Sequence, residues 1–411
     1  MLIDSAALTR LSLLKAIRKN APVSRVELAE MLGLSKGAIS AVTAELIESG
    51  LVSEEGSALQ DRGRPRVLLR VQNDSYAVAG ASIDPLGYLE LCLVDLTGNL
   101  IAKERVALLN RGSVEGLIAW IAERFDSFLD RSPFDRSRVT TAAVAVPGVV
   151  ESSTGLLQWF PTLDGEDVPA ASLISERIGL PVIIENDVDC LARAEHWFGD
   201  DSAGDFTIVY QGLSVGLAQY SDGLPRTGVS GANAEFGHVK TDYGDHARSC
   251  FCGARGCLTT YSSYLGFFAS SPARAGDGQA QTDEVIQETP KIIAAASAGD
   301  SGAVEACRLA GHHLGLALAD YINTTDPRLI LVRTADSCMP RLIKQALEAA
   351  VEDNTLPPLR RRTTIEIAAA QADWRWKGTA ALALEQAYLG KAVKQSRQPS
   401  KKAAGAVKSK R

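Results

Sequence analysis

Three cysteines fall within eight positions in Cys250-Phe251-Cys252-Gly253-Ala254-Arg255-Gly256-Cys257. Clustered thiolates with one imidazole suit a tetrahedral divalent ion, and Zn²⁺ is its usual identity. Three Cys and one upstream His would close the coordination shell. No position would remain for a reactive water, so the expected role is structural. Spacing alone admits two imidazoles, His246 four residues before Cys250 and His238 twelve before it. The competing reading is a disulfide or three buried thiols, but thiols stay reduced in the cytosol and the knuckle spacing favours metal. Cys92, Cys190, Cys307 and Cys338 are scattered and read as core thiols.

A second constellation is Glu185-Asn186-Asp187. It ends an apolar run, where an α/β sheet carries its functional groups. Asp187 has the chemistry of a general base or of a hydroxyl acceptor. It could equally cap the helix that starts at Val188.

The elements around these residues indicate several domains. A chain of 411 residues with 46% hydrophobic and 22% charged residues has ordinary globular composition. Its net charge of -6 gives no global signal for nucleic acid, so a DNA-binding surface must be local. Met1 to Lys19 lacks the pattern of a signal peptide, and no run approaches the roughly 18 apolar residues of a membrane span. A cytoplasmic protein is expected.

Leu8 to Lys19 has helical spacing of Leu11, Leu13, Leu14 and Ile17. Ser24-Arg25-Val26-Glu27 is a capping box opening a helix that ends at Gly33. Ser35 caps a second helix, Lys36 to Ser49. Together they predict a helix-turn-helix. A strand at Gly50-Leu51-Val52, the basic tip Asp61-Arg62-Gly63-Arg64-Pro65-Arg66 and a strand from Val67 to Val71 add a wing. Ser35, Lys36, Gly37, Ser40 and Thr43 are expected on the outer face of the recognition helix, small enough for close approach to the major groove. Arg62, Arg64 and Arg66 would meet phosphate or a narrow minor groove. A helical protein-interaction module is the alternative, but it leaves the basic wing without a purpose.

Beyond about residue 75, strands alternate with helices, which indicates α/β layers. The restart at Phe206 to Tyr220 echoes residues 77–99 and suggests a duplicated unit. Residues 269–288 read as a surface loop. The expected division is a winged helix-turn-helix at 1–74, a first lobe at 75–190 closed by a helix at 376–390, a second lobe at 191–375 carrying the knuckle, and a basic disordered tail at 391–411.

Glu235-Phe236-Gly237-His238 followed by the Cys-x-Cys-Gly-x-x-Gly-Cys knuckle resembles the signature of the ROK family of repressors and sugar kinases. Ser24-Arg25-Val26-Glu27-Leu28-Ala29, Gly33-Leu34-Ser35 and Gly63-Arg64-Pro65 resemble the DNA-binding domain of its repressor branch. The resemblance runs from about residue 8 to 390. It implies two actin-like lobes, as in sugar kinases, enclosing a cleft. It favours His238 as the zinc ligand. It also implies that Asn186, Asp187, Glu235 and His238 bind sugar hydroxyls.

Several positions depart from the family pattern. Asp84-Pro85-Leu86-Gly87-Tyr88, Gly212-Leu213-Ser214-Val215-Gly216 and Val332-Arg333-Thr334-Ala335 stand where the kinases have glycine-rich nucleotide loops, so the kinase motifs are degenerate and no enzyme is expected. Thr259 replaces the usual sugar-binding Glu, and Pro161-Thr162-Leu163 replaces Pro-Asn-Leu. The expected protein is a repressor of carbohydrate genes that binds a double-stranded operator as a homodimer or homotetramer. A sugar or sugar derivative would release it. Its rivals are a working sugar kinase fused to a DNA-binding domain and a metal sensor without a small-molecule ligand.

Overall fold

A computed structural model describes residues 5–58, 66–84, 86–108, 112–161, 163–199, 204–221, 223–229, 234–270 and 282–389. The wing tip with Arg62 and Arg64, Pro85, Thr162, residues 271–281 of the expected loop and the 391–411 tail lie outside them.

Helix α1 (Ser5–Asn20) buries Leu11, Leu13, Leu14 and Ile17. Strand β1 (Val23–Ser24) leads into α2 (Arg25–Leu32), where Ser24 and Glu27 form the capping box. Each satisfies an N–H that the first helical turn leaves free. Gly33 ends α2 in the left-handed region, at φ +62°, where a side chain would be strained. Helix α3 (Lys36–Glu48) starts at Ser35, whose hydroxyl accepts from the Ala38 N–H. Strands β2 (Val52–Ala58) and β3 (Arg66–Val71) build the wing and form a sheet in the order β1-β3-β2.

The body follows. Strands β4 (Ala77–Asp84), β5 (Tyr88–Asp95) and β6 (Leu100–Ala107) run antiparallel. Then come α4 (Val114–Arg131), β7 (Val139–Val146), a small hairpin of β8 (Val149–Glu151) and β9 (Leu156–Trp159), α5 (Ala170–Ile178), β10 (Val182–Asn186) and α6 (Asp187–Phe198). The first sheet has the order β10-β7-β4-β5-β6, with β10, β7 and β4 parallel.

The second half repeats this plan. Strands β11 (Phe206–Gln211), β12 (Val215–Ser221) and β13 (Leu224–Arg226) are antiparallel. Helices α7 (Tyr264–Ser270), α8 (Thr282–Ser297) and α9 (Ser301–Thr325) precede β14 (Leu329–Thr334), α10 (Met339–Asn354), α11 (Pro357–Arg360), β15 (Thr364–Ala369) and α12 (Trp374–Tyr388). The second sheet reads β13-β12-β11-β14-β15, with β11, β14 and β15 parallel. The expected duplication is therefore present strand for strand.

Part of the 269–288 stretch, expected as loop, is helix. Helix α8 continues through Pro290, although proline removes an intrahelical hydrogen bond. Its buried face, Val285, Thr289, Ile292, Ile293 and Ala296, spans the proline, so packing outweighs the local penalty. Among the described residues no helix is long and apolar enough to cross a membrane.

Helix α12 lies in the groove between β4 and α6. Two glycines permit it. A methyl on Gly80 would sit 2.3 Å from Thr379 Oγ1, and one on Gly378 would sit 2.4 Å from the Cys190 carbonyl oxygen. Ala380, Leu384 and Ala387 join Leu11, Leu14 and Ile17 of α1 in one continuous apolar cluster.

A buried ionic chain runs through that cluster. Glu385 accepts from Trp197 Nε1 at 2.7 Å, pairs with Arg193 Nε at 3.2 Å and meets Lys15 Nζ of α1 at 3.5 Å. Arg193 Nη2 continues to Glu185 at 3.2 Å. Arg18 of α1 donates to the Trp197 carbonyl at 2.6 Å, and Arg10 to that of Tyr388 at 2.9 Å. Burial alone would raise the Glu385 carboxyl, but Lys15, Arg193 and the Trp197 N–H hold it below its ordinary value. Its stabilisation is therefore present above the unfolded value of about 4.3 and is lost as pH falls through the lower folded value. Glu385→Ala leaves Arg193 buried beside an empty site and should cost roughly 3–5 kcal/mol. A lowered urea midpoint is expected. Glu385→Gln, which keeps an acceptor for Trp197, should lose less, and an unchanged midpoint for both would refute the role.

Candidate functional site

The knuckle brings His238 and the three cysteines together. His238 and the Sγ atoms of Cys250, Cys252 and Cys257 offer ligand atoms all within 4.8 Å of one another. Cys252 Sγ lies 3.7 Å from Cys257 Sγ, and Cys250 Sγ lies 3.6 Å from His238 Nδ1. A tetrahedral ion with metal–sulfur bonds of about 2.3 Å requires donor separations of about 3.7 Å. The donor set therefore fits one four-coordinate metal. His246 is exposed and stands outside the group, and His238 is the imidazole beside the cysteines.

Three thiolates on a divalent ion would leave one excess negative charge, and Lys240 Nζ, 2.8 Å from Cys257 Sγ, is placed to offset it. Gly256 is required by backbone approach, since a methyl there would lie 1.9 Å from the Asp242 carbonyl oxygen. His313 of α9 anchors the knuckle. It bonds Thr241 Oγ1 at 2.9 Å and stacks on Tyr261 with centroids 4.0 Å apart.

His238 has two faces. Its Nδ1 looks to the cysteines, while its Nε2 lies 4.0 Å from Glu235 Oε2 on the cleft side. Asp187, at the start of α6, is buried, and Glu235 is half-exposed. Burial pushes the Asp187 carboxyl upward against the pull of Arg375. Burial and the neighbouring Asp187 raise Glu235. Asn186 is largely committed to the fold. Its Oδ1 caps α6 by accepting from Val188 and Asp189, and its Nδ2 donates to the Gly148 carbonyl at 2.9 Å. One N–H is left for a ligand. Thr259 is fully buried.

At the other end of the cleft stands Arg375, which the sequence reading missed. Its Nε lies 3.4 Å from Asp84 Oδ1, its Nη1 4.0 Å from Asp187 Oδ2, and its Nη2 donates to Tyr210 Oη at 2.9 Å. It borders a pocket of about 180 Å³ lined also by Leu86, Ala335 and Trp374. A signal existed. An arginine in the first turn of α12 opposes the helix dipole, so it needs carboxylate partners elsewhere.

On the N-terminal module, Ser35, Lys36, Gly37 and Ser40 are exposed, together with Ala41 and Ala44. Thr43 is not. It is fully buried, accepts from Arg25 Nε at 2.9 Å and donates to the Ser40 carbonyl. With Ile39 and Leu46 it occupies the inward stripe of α3, which corrects the expected face. Arg25 also reaches Glu54 of β2 at 2.8 Å, joining α2, α3 and the wing. Arg66 stands at the wing's base, half-buried.

Comparison with known proteins gives a match to the ROK family over residues 86–386 and to a winged helix-turn-helix DNA-binding family over residues 8–53. The chain is 25% identical to the xylose repressor of Caldicellulosiruptor bescii, over 85% of this chain and 88% of that one. Among solved structures it is similar to a ROK family transcriptional regulator described as a homologue of the Escherichia coli Mlc protein. The TM-score is 0.75 at 24% identity, covering 95% of this chain and 98% of that one. A ROK glucokinase from Streptomyces griseus shares the body's fold, with a TM-score of 0.62 at 24% identity, over 75% of this chain and 99% of that one.

Cys252→Ser removes a donor from the only group of this kind among the described residues. The variant should lose its bound metal on dialysis, as read by plasma mass spectrometry. His246→Ala should keep a full equivalent; its loss would return the fourth ligand to His246.

Proposed function

The chain belongs to the ROK family, and from that premise we propose that it is a cytoplasmic, DNA-binding repressor of carbohydrate genes, released by a sugar or sugar derivative. The observation that carries the reading is one of connection. Helix α3, with its exposed recognition face, pairs with α1 through Glu45 and Arg10 at 2.5 Å, and α1 in turn is tied through Lys15, Glu385 and Arg193 to Glu185, which precedes Asn186 and Asp187.

Lys36, Ser35 and Ser40 approach the major groove at the first turns of α3, where Gly37 admits the DNA surface. Glu45 and Glu48 on the later turns keep contact to that end, since carboxylates repel phosphate. Arg62, Arg64 and Arg66 of the wing add phosphate or minor-groove contacts. The module at 1–74 acts as a pair in a homodimer or homotetramer, so that half-site spacing reads the arrangement of the bodies.

In the cleft, Asp187 and Glu235 accept sugar hydroxyls, His238 Nε2 and the remaining Asn186 N–H complete the polar set, and the lobes close on the ligand. Zinc is the metal that fits His238, Cys250, Cys252 and Cys257. When bound it supplies a rigid tetrahedral fixture with no reactive water. His238 reports ligand contact to that fixture.

Phosphoryl transfer is not part of this function. A phosphate donor would need the region where Arg375 pairs with Asp84 and Asp187. The remaining pocket of about 180 Å³ is below the roughly 300–1,000 Å³ of ordinary ligand sites. The retained Asp187 favours the rival kinase, and a direct assay separates the two.

Binding to DNA upstream of its own gene, followed by mobility shift, should weaken on adding D-xylose or D-glucose. Lys36→Ala should reduce the salt dependence by about one phosphate contact. ATP-dependent phosphorylation of either sugar at enzymatic rates would overturn the repressor-only reading.

A further inference from the structure

The described cleft is bridged by aromatic rings at its knuckle end. Trp159 of β9 and Phe251 of the knuckle stack with centroids 5.9 Å apart and planes 13° from parallel. His238 meets both edge-on, at 6.2 Å from Trp159 and 5.2 Å from Phe251. One ring comes from the hairpin beside the first sheet, the other from the second half of the chain. The cluster adjoins the His238 face that points toward Glu235.

Both rings are held firmly from behind. Asn186 Nδ2 donates to the Gly148 carbonyl. Gly148, at φ +104°, lets the Trp159 backbone approach so closely that a methyl there would lie 2.2 Å from the Trp159 carbonyl oxygen. Val149 then pairs with Trp159 in the hairpin. The residue that caps α6 therefore also sets where the indole stands. Phe251 lies between Cys250 and Cys252, two of the metal-site residues, so its position follows the knuckle's geometry. Both rings are only half-buried, an exposure that apolar surface keeps at some cost unless it is used.

We propose that Trp159 is a ligand-contacting, specificity-determining residue, and that Phe251, stacked on it, is the closure a ligand must displace. This deepens the cleft reading above and rests on it. A pyranose has an edge of hydroxyls and a face of C–H groups. Asp187, Glu235 and His238 take the edge, and the indole takes the face, removing apolar surface from water on both partners. Stacked rings 5.9 Å apart leave no room for a sugar between them. The ligand therefore displaces Phe251 from Trp159, and the lobes separate and re-close around it. Sugars with an axial hydroxyl on the stacking face are rejected, because that group would be buried against a ring that offers no partner.

The test uses the full chain, with D-xylose, D-glucose and D-galactose as probes, read by calorimetry and tryptophan fluorescence. The wild type should bind at least one, with a change in emission that Trp159→Phe abolishes while keeping most of the affinity. Trp159→Ala should weaken that sugar about tenfold or more and flatten the preference among the three. Its affinity for DNA without sugar should stay within about twofold of the wild type. Phe251→Ala should retain its metal and bind sugar with a faster on-rate. If the wild type binds a probe and Trp159→Ala binds it equally well, the aromatic proposal falls and the cleft reading stands. If the wild type binds none of the three, both fall.

Discussion

Glu385 is the constraint on which much of this molecule depends. A carboxylate withdrawn from water costs several kcal/mol unless its oxygens are met by donors. Here those donors come from far apart in the chain: Lys15 in α1, and Arg193 and Trp197 in α6. Meeting them fixes α12 against α6 and both against α1. The DNA-binding module is thereby held to the body by buried charge as well as by the apolar cluster of Leu11, Leu14, Ala380 and Leu384. Moving any member by an ångström or two would leave a charge unpaired, so the network favours a few discrete arrangements over graded ones. That property suits a switch.

The cleft between the two sheets has unlike ends. At one, Arg375 satisfies Asp84, Tyr210 and the edge of Asp187, and leaves little space. At the other, Glu235 and His238 lie close together, and His238 meets the stacked rings of Trp159 and Phe251 edge-on. Asp187 stands between them. A carboxylate steadied by a fixed guanidinium keeps a set orientation, which would suit the hydroxyl acceptor proposed for Asp187.

The knuckle joins these arrangements mechanically. Phe251 lies between Cys250 and Cys252, His238 turns one nitrogen to the cysteines and the other toward Glu235, and the loop is pinned to His313 of α9 through Thr241 and Tyr261. A metal held by this group would fix these side chains further, because tetrahedral coordination tolerates little distortion.

Features whose physics is local were legible in the residues themselves. A capping box spans four residues and satisfies its own N–H groups, so Ser24 and Glu27 announced α2 without any tertiary context. Cysteine spacing indicated that Cys250, Cys252 and Cys257 gather in one knuckle, as they do, and alternating strands and helices declared the paired α/β lobes. Even the Thr43 error was avoidable, because Ile39, Thr43 and Leu46 share one helical stripe. The tertiary structure alone decided the rest. It chose His238 over His246, carried α8 through Pro290, and found Arg375 its carboxylates. It also joined Lys15 to Glu385 across 370 positions and stacked Trp159 on Phe251. Burial of a charge is favourable only where distant donors converge, and stacking only where two lobes meet. Neither condition exists in any one segment of the chain, which is why no segment disclosed them.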